Sequence, residues 1–391
     1  MTSVDGELSI EDSRTSAKYR IPIRNNSILA ADLVKIRGPK KGKSLTKNGD
    51  GLLLFDNGLQ YTAIKKSKIS ARDAATGMPL YRGYSMEKLT EMGADFEDLF
   101  HLMVLGSYPN AEEREWLRAA LAKEMMEVPD AVVKVVQAFP RDSPAMSMLL
   151  AGLSAYISAY PHGIPALQGS FIYHANPRLA DKAAIKTTAA YAVVLGLVSC
   201  HRKRIPFKRA SASGTFYSNL FTMMGMVGPN DQVDPKILDL FKRGAIYNAD
   251  NGMTHSTFVL LTAASAFPDP ISCLTSAVAA AYGPLHYGAQ EAMWNNLQSI
   301  GAKENVPAFL EKVKRKERRL FGYGHRAFAV EDPRLKPVMG WLRELNVSEK
   351  TQPLFGLANE IDRVASKDEY FRTRGLSANA DFYTAFYFNA M

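Results

Sequence analysis

Cysteine is scarce in this sequence of 391 residues, and patterns typical of metal ligands are lacking. Cys200 and Cys273 are too few for a disulfide framework, which favours a reducing compartment. None of the short histidine and cysteine spacings that are typical of zinc sites occurs. We therefore expect neither a disulfide-stapled domain nor a bound metal.

Signals for secretion and for membrane insertion are lacking as well. The first residues, MTSVDGELSIEDSR, are acidic and contain neither the apolar core of a signal peptide nor an arginine-rich presequence. Apolar stretches such as Ala189 to Cys200 are too short to span a bilayer and are typical of a buried helix. These features predict a cytoplasmic protein that does not bind membranes.

Basic residues outnumber acidic ones, 48 to 39, which gives a formal net charge of +9. Such a balance favours anionic partners: nucleic acid, a membrane surface, or a small acid and a phosphorylated cofactor. The one dense basic run, His201 to Arg209, is most typical of a solvated loop, and nothing near it resembles a nucleic-acid-binding module. We therefore favour a small anionic ligand over nucleic acid.

The first eighty residues carry few helix signals. Residues 1–50 indicate an irregular, partly basic arm with loop-forming clusters of lysine and glycine. From Gly51 to Tyr84 the sequence contains short β-prone runs separated by turns, which predict one or two small hairpins.

Helix signals dominate the rest of the chain. Asn110 precedes Glu113 by three residues, which is a capping-box spacing. Ser143-Pro144 and Asp234-Pro235 each place a capping residue before a proline, and Gly244 is predicted to end the second of these helices. Strands and helices do not alternate as in a doubly wound sheet. The sequence therefore predicts an all-α protein of two intimate domains with a small N-terminal β-hairpin region.

Three motifs carry residues suited to proton transfer. GPLHYGAQEA contains His286, FGYGHRAFAVEDPR contains His325 after two flexible glycines, and NADFY contains Asp381 at a helix start. Two histidines and one carboxylate form an acid–base set that needs no metal. A glycine-flanked histidine is also common in structural turns, and three such residues can hold zinc, although their spacing argues against a metal.

These motifs resemble those of citrate synthases. The resemblance runs from about Gly77 to the end of the chain, and YRGYSMEKL and NADNGMTHSTF match more weakly. It is strongest to the fungal citrate synthase-like branch, which includes alkylcitrate synthases of secondary metabolism. The resemblance implies a homodimeric, two-domain, all-α enzyme that condenses oxaloacetate with acetyl-coenzyme A or a longer acyl thioester to give citrate or an alkylcitrate. The coenzyme A thioester is a co-substrate, with no tightly bound cofactor.

The resemblance also implies a role for each motif residue. Asp381 is the base that removes the α-proton of the thioester, and His286 donates a hydrogen bond to the enolate oxygen. His325 polarises the ketone of oxaloacetate and protonates the new alkoxide. Arg334, after Asp332-Pro333, matches an arginine that binds a carboxylate of oxaloacetate.

The coenzyme A site is expected around the second motif. The backbone from Phe321 through Gly322 and Tyr323 to Gly324 matches a loop that meets the adenine. Ala329 stands where the family usually has a basic residue for the phosphates. Arg318, Arg319 and Arg326 are candidates to compensate, and the alternative is that the acyl group arrives on an acyl carrier protein.

Two further departures from the family concern oxaloacetate and the chain length. Asn251 stands where a histidine helps to bind oxaloacetate, and His255, one helical turn later, is a candidate substitute. We expect an arm at 1–50, a large domain at 51–286 that lacks its C-terminal helices, and a small domain at 287–391. The alternative function is a catalytically impaired or truncated partner that only dimerises.

Overall fold

The computed structural model describes residues 5–39, 51–57, 61–73, 77–324 and 332–391. It divides into two compact units, Met1–Lys68 and Ile69–Met391.

The first unit contains a hairpin that the sequence did not predict. Strands β1 (Gly6–Asp12) and β2 (Ala17–Ile23) pair antiparallel, and the short helix α1 (Ala30–Leu33) follows. Ile21, Leu33 and Ile36 form a small core. The prediction of an irregular arm was wrong for this segment, because the Asp12 carboxylate accepts a hydrogen bond from the Arg14 backbone N–H and organises a tight turn between the strands.

The second unit begins with a three-stranded antiparallel sheet, β3 (Ser70–Arg72), β4 (Pro79–Tyr81) and β5 (Tyr84–Ser85), in that order. Arg82 and Gly83 connect the last two strands with φ of 47° and 92°, the backbone that a two-residue hairpin turn requires. The predicted hairpin signal is confirmed for this part of the segment.

Helices make up most of the second unit, which confirms the predicted all-α class. Short non-α turns occur at His101–Leu105, Pro161–Gly163 and Lys303–Asn305. The α-helices are α2 (Met86–Glu91), α3 (Phe96–Phe100), α4 (Ala111–Met126), α5 (Asp130–Gln137), α6 (Ala145–Ser158), α7 (Pro165–Gln168), α8 (Pro177–Lys203), α9 (Phe216–Met223), α10 (Pro235–Asn248), α11 (His255–Ala264), α12 (Pro270–Ala281), α13 (Gly288–Ile300), α14 (Val306–Lys314), α15 (Leu335–Glu344), α16 (Pro353–Ala365), α17 (Glu369–Arg372) and α18 (Ala380–Asn389).

Most of the predicted helix starts are confirmed. Asn110 and Glu113 form the reciprocal capping box of α4, and Asp234 caps α10. Pro144, and not Ser143, is the N-cap of α6. The prediction that α10 ends at Gly244 was also wrong, because a Cβ there would lie 2.5 Å from the Tyr387 hydroxyl, so the glycine permits close packing of α18.

Two hydrophobic cores stabilise the second unit. One joins α2 and α10 to helices α13–α18 and draws on both predicted domains, while the other surrounds α8. By length and composition α8 is able to cross a membrane, but 61% of its most apolar window is buried inside the protein. This burial confirms the expectation of a buried helix at Ala189 to Cys200. The domain boundary at 286/287 remains a prediction.

Candidate active site

His286 lies in the turn between α12 and α13. Its Nε2 is 2.8 Å from the Ser256 Oγ, in the first turn of α11, and its ring stacks on Tyr287 with centroids 4.8 Å apart. Burial lowers the pKa of His286 below 6.5, the nearby His255 lowers it further, and Asp381 partly opposes them. The imidazole is therefore neutral at pH 7, which suits a hydrogen-bond donor.

Asp381 lies in the first turn of α18. Its Oδ1 is 3.4 Å from the Nε2 of Gln290, which is in the first turn of α13, four residues after His286. The charge of Asp381 acts on the pKa of both His286 and Arg334. Residues from the first and third motifs therefore share one electrostatic environment, although about a hundred positions separate them in the chain.

Arg334 is only 7% exposed. Two of its nitrogens donate to the Asp332 carboxylate at 3.0 and 2.7 Å, and that carboxylate also accepts from the Ala380 N–H at 3.1 Å. Burial alone would raise the pKa of Asp332, but its bonds to Arg334 and to the backbone hold the pKa below its usual value. The pair therefore stays ionised, and it attaches the turn to the start of α18 beside Asp381.

The predicted coenzyme A loop also packs against the start of α18. Gly324 donates its N–H to the Ser377 carbonyl at 2.7 Å, and Asn379 donates to the carbonyls of Gly322 at 3.0 Å and Gly324 at 2.8 Å. The Tyr323 hydroxyl donates to Asp362 at 2.8 Å. These bonds, and not an open loop, explain the backbone that the two glycines adopt.

His325, Arg326 and Ala329 lie outside the described residues. The described residues on either side, Gly324 and Asp332, both bond to the start of α18 at 379–380. Exposed Arg318 and Arg319 precede the loop, and the Arg319 guanidinium is 5.9 Å from the centre of the Phe321 ring.

Asn251 contacts an arginine that the sequence did not single out. Its Oδ1 accepts from the Arg72 Nη2 at 2.9 Å, and the Arg72 Nη1 donates to the Gly77 carbonyl at 3.0 Å. Ser70 donates to Asp250, so strand β3 is attached to the NADNGMTHSTF motif at two adjacent points. A cation thus accompanies the asparagine that is predicted to stand at the position of a family histidine.

A buried phenol connects these groups. Burial raises the pKa of the Tyr81 hydroxyl. The Asp250 backbone N–H, which donates to the hydroxyl at 3.4 Å, lowers this pKa, the negative charge of Asp250 raises it, and Arg334 lowers it. Tyr81 donates to the Ile246 carbonyl at 2.8 Å. Tyr81 therefore bonds the backbone at both Ile246 and Asp250, next to Asn251.

Several residues near His286 were not predicted from the sequence. Ser256, Tyr287 and Gln290 belong to matched motifs, so their proximity to His286 and Asp381 was a usable signal. Arg72 gave no such signal, because 179 positions separate it from Asn251.

The site brings together a neutral imidazole, a carboxylate and a buried guanidinium, which suit the abstraction of a proton next to a carbonyl group. Among the described residues no group of three or more histidine, cysteine or acidic side chains is close enough to hold a metal ion.

Comparison with solved structures defines the fold. Citrate synthase from Thermoplasma acidophilum, determined as a ternary complex with carboxymethyl coenzyme A and oxaloacetate, matches with a TM-score of 0.74 over 85% of this chain and 84% of its own. At 23% identity this similarity shows the fold alone.

Sequence comparison shows the family. The family model of the citrate synthase C-terminal domain matches residues 58–391. Alkylcitrate synthase phiJ of a fungal species is 56% identical over all of this chain and 85% of its own length. Alkylcitrate synthase tstJ of Talaromyces stipitatus is 52% identical over 99% of this chain and 85% of its own length. The chain belongs to the citrate synthase family.

Proposed function

We propose that the protein condenses oxaloacetate with the acyl group of a coenzyme A thioester to give an alkylcitrate. The observation that carries the proposal is the set of contacts around Asp381: Gln290, four residues after His286, lies 3.4 Å from its carboxylate, and the preceding Ala380 N–H bonds the Asp332 carboxylate that pairs with Arg334. Two relatives that are more than 50% identical to this chain are named alkylcitrate synthases, which supports the same reaction.

Carbanion chemistry at a thioester needs a base and a donor on opposite sides of the reacting carbon. The Asp381 carboxylate takes the α-proton, and a neutral His286 donates to the thioester oxygen that becomes negative. When the Ser256 hydroxyl donates to Nε2, the imidazole proton lies on Nδ1 and points away from the serine.

The remaining steps form the carbon–carbon bond and then replace the carbon–sulfur bond of the thioester with a carbon–oxygen bond from water. The α-carbon attacks the ketone carbon of oxaloacetate, and His325 protonates the resulting alkoxide. Water then hydrolyses the thioester and releases the alkylcitrate and free coenzyme A. Exclusion of bulk water until the carbon–carbon bond has formed prevents wasteful hydrolysis of the substrate.

Oxaloacetate is a dianion and needs cationic partners. Arg334 is the proposed carboxylate clamp, with Asn251 and His255 as further ligands. The Arg72 guanidinium, bonded to Asn251, adds positive charge where the family histidine is absent.

Coenzyme A is proposed to bind at the loop formed by Phe321, Gly322, Tyr323 and Gly324. Exposed Arg318 and Arg319, together with Arg326, supply charge for its phosphates. Delivery of the acyl group by an acyl carrier protein is the alternative that the same surface allows.

The assembly and setting are also proposals. We assign the large domain to 51–286, the small domain to 287–391 and the active site to the cleft between them. The enzyme is expected to be a cytoplasmic homodimer in fungal secondary metabolism.

A thiol-release assay tests the proposal. The purified protein is mixed with oxaloacetate and a series of acyl-coenzyme A chain lengths, and free thiol is followed. Asp381→Ala is expected to lower kcat by roughly 10²- to 10⁴-fold. Glu112→Ala, which removes an exposed carboxylate from the first turn of α4, is the matched control and is expected to retain activity.

The outcome distinguishes the candidate functions. Release that needs oxaloacetate and is lost only in Asp381→Ala supports the enzyme. Turnover with acyl groups on acyl carrier protein, and none with acyl-coenzyme A, would show that the carrier protein delivers the acyl group. Absence of release with every chain length and either carrier contradicts the proposal and favours a non-catalytic partner.

A further inference from the structure

Strand β3 presents two side chains to the segment that precedes α11. Ser70 and Arg72 are two residues apart in the strand, so they lie on the same face of it. Ser70 donates to the Asp250 carboxylate. The Arg72 Nη2 donates to the Asn251 Oδ1 at 2.9 Å. One face of the strand therefore bonds two neighbouring residues of the segment.

The Arg72 guanidinium is held on two sides. Its Nη1 donates to the carbonyl of Gly77, in the connection between β3 and β4, at 3.0 Å, while its Nη2 bonds Asn251. A guanidinium is planar and its donors have a fixed geometry, so contacts at both terminal nitrogens determine where the group lies. The strand and the turn that follows it therefore define the position of Arg72 beside Asn251.

This contact also determines which way the Asn251 amide faces. A guanidinium has only donors, so the amide atom that meets Arg72 is the oxygen. The Nδ2 group lies on the other side of the amide, where it has no acceptor among the described residues. The N–H donors of Asn251 are therefore available to a ligand.

Hydrogen bonds connect this segment to the proposed catalytic histidine. Thr254, the N-cap of α11, donates its backbone N–H to the Gly252 carbonyl at 2.9 Å, and its Oγ1 is 3.2 Å from the Ser256 Oγ. The Ser256 Oγ is in turn 2.8 Å from the His286 Nε2. Asn251 therefore lies at the start of a short bonded turn that leads to the imidazole.

We propose that Arg72 is a positioning residue for oxaloacetate, which holds the Asn251 amide with its Nδ2 group towards the substrate. The inference rests on the proposed condensation reaction for the identity of the ligand. Oxaloacetate carries carboxylate and ketone oxygens that accept hydrogen bonds, so an amide nitrogen attracts it and an amide oxygen in the same place repels it. The arginine acts through the asparagine and does not itself contact the substrate.

Removal of the guanidinium tests the positioning role. In Arg72→Met the amide can present either atom and has to be ordered when the substrate binds, which is expected to weaken oxaloacetate binding by about 3- to 10-fold. Isothermal titration calorimetry measures the dissociation constant, and thiol release measures KM and kcat. We expect KM for oxaloacetate to rise by the same factor, while kcat and KM for the acyl thioester change by less than about 2-fold.

Asn251→Asp distinguishes positioning from a structural role. An aspartate still accepts from Arg72, so the strand stays attached, but it has no N–H for the substrate. We expect thermal unfolding close to that of the parent and oxaloacetate binding weaker by at least about 10-fold, as for a lost hydrogen bond to a charged partner. Unchanged binding in this variant would mean that Asn251 only anchors the strand, and the proposal would be wrong.

A double-mutant cycle shows whether Arg72 acts through Asn251. In the Asn251→Ala background, Arg72→Met is expected to weaken binding further by less than about 2-fold, because the group that it positions is already absent. A full additional loss would mean that the arginine contacts the substrate directly, which contradicts the positioning role. Arg20→Met, which removes an exposed arginine from strand β2, is the matched control and is expected to bind oxaloacetate as the parent does.

Binding and turnover are measured separately so that the two proposals can fail independently. A parent protein that binds oxaloacetate but releases no thiol with any acyl-coenzyme A contradicts the proposed reaction, and calorimetry still decides the role of Arg72. A parent that binds no oxaloacetate, or an Arg72→Met variant that binds it as tightly as the parent, would overturn the inference. If Arg72→Met does not fold, the comparison of Asn251→Asp with the parent decides the question, since that variant keeps the contact.

Discussion

The protonation state of His286 determines whether its imidazole can serve as a neutral donor. Burial lowers its pKa, and His255 opposes a second positive charge nearby. The two histidines, 31 positions apart, therefore form an electrostatic pair even though only His286 is the proposed donor.

Replacement of His255 is expected to shift the pH dependence. In His255→Gln one cause of the lowered pKa is removed, so the pKa of His286 rises towards 6.5. The neutral donor is then lost at a higher pH during acidification, and the acid limb of the kcat–pH profile moves upward. Profiles of the parent and of His255→Gln, with His162→Gln as the control on a distant turn, measure this shift. An acid limb that stays in place, or moves downward, would show that His255 does not act on the donor.

Residue types in the three motifs predicted candidate acid–base residues, whose roles stay predictions, but not every partner of those residues. His286 and Asp381 were found because glycine, histidine and acidic residues recur there in an informative order. Arg72 was not found, because its contact with Asn251 depends on how strand β3 packs on a distant segment. Such a contact is fixed by tertiary packing, and no local spacing records it.

Among the structural elements, the start of α18 organises the site. Asn379 donates hydrogen bonds to the carbonyls of Gly322 and Gly324 and so holds the loop against the helix. The Ala380 N–H donates to the Asp332 carboxylate. The buried Oδ1 of Asn379 has no hydrogen-bond partner among the described residues. The geometry around Asp381 therefore depends on this short segment more than on the rest of the helix.

Gly322 is expected to be irreplaceable at this junction. Its φ is +73°, and a Cβ would lie 2.8 Å from the Phe382 Cα, so Gly322→Ala combines backbone strain with a clash against backbone that cannot rotate away. We expect a loss of unfolding free energy of about 2–4 kcal/mol, which is roughly 1–2 for the left-handed conformation and the rest for overpacking. Denaturant titration measures it.

Gly375 provides the matched control for this prediction. Its φ is +61°, but no described atom lies within 4 Å of the position that a Cβ would occupy, so Gly375→Ala retains the strain without the clash. Its cost should stay near 1–2 kcal/mol, roughly the penalty of the left-handed conformation alone. Equal losses in the two variants would mean that the approach of Phe382 is not what requires glycine at 322.

The sequence predicted the start of a helix correctly where the capping side chain bonds to residues only a few positions away. The capping box of α4 is an interaction over three residues and was found in the sequence. The end of α10 was misplaced, because Gly244 serves the approach of Tyr387, which is more than a hundred positions away. A glycine near the end of a predicted helix can either terminate that helix or permit close packing of another element. The sequence alone does not distinguish these two roles.

For the whole molecule, the fold could be predicted because the order of the three motifs along the chain resembles that of a known family. The all-α class and the hairpin before α2 follow from helix signals and turn residues, whereas the pairing of β1 with β2 was missed. The strand signal was present in β2, where Ala17, Tyr19, Ile21 and Ile23 alternate with Lys18, Arg20 and Pro22, so this pairing was missed although the sequence carries it. The division at residue 68 was not predicted either.

That division predicts which part of the chain is needed for folding and for the reaction. The unit Ile69–Met391 contains both large cores and every residue assigned to the site, whereas the described part of Met1–Lys68 has a core of three buried side chains. A chain that starts at Ile69 is therefore expected to fold, to unfold cooperatively, and to release thiol from acyl-coenzyme A in the presence of oxaloacetate with the chain-length preference of the full protein. Circular dichroism with thermal unfolding and the thiol assay, compared side by side with the full chain, measure these properties. A shortened protein that folds cooperatively but has lost turnover would place a required residue before Ile69, and one that does not fold would mean that the smaller unit stabilises the larger.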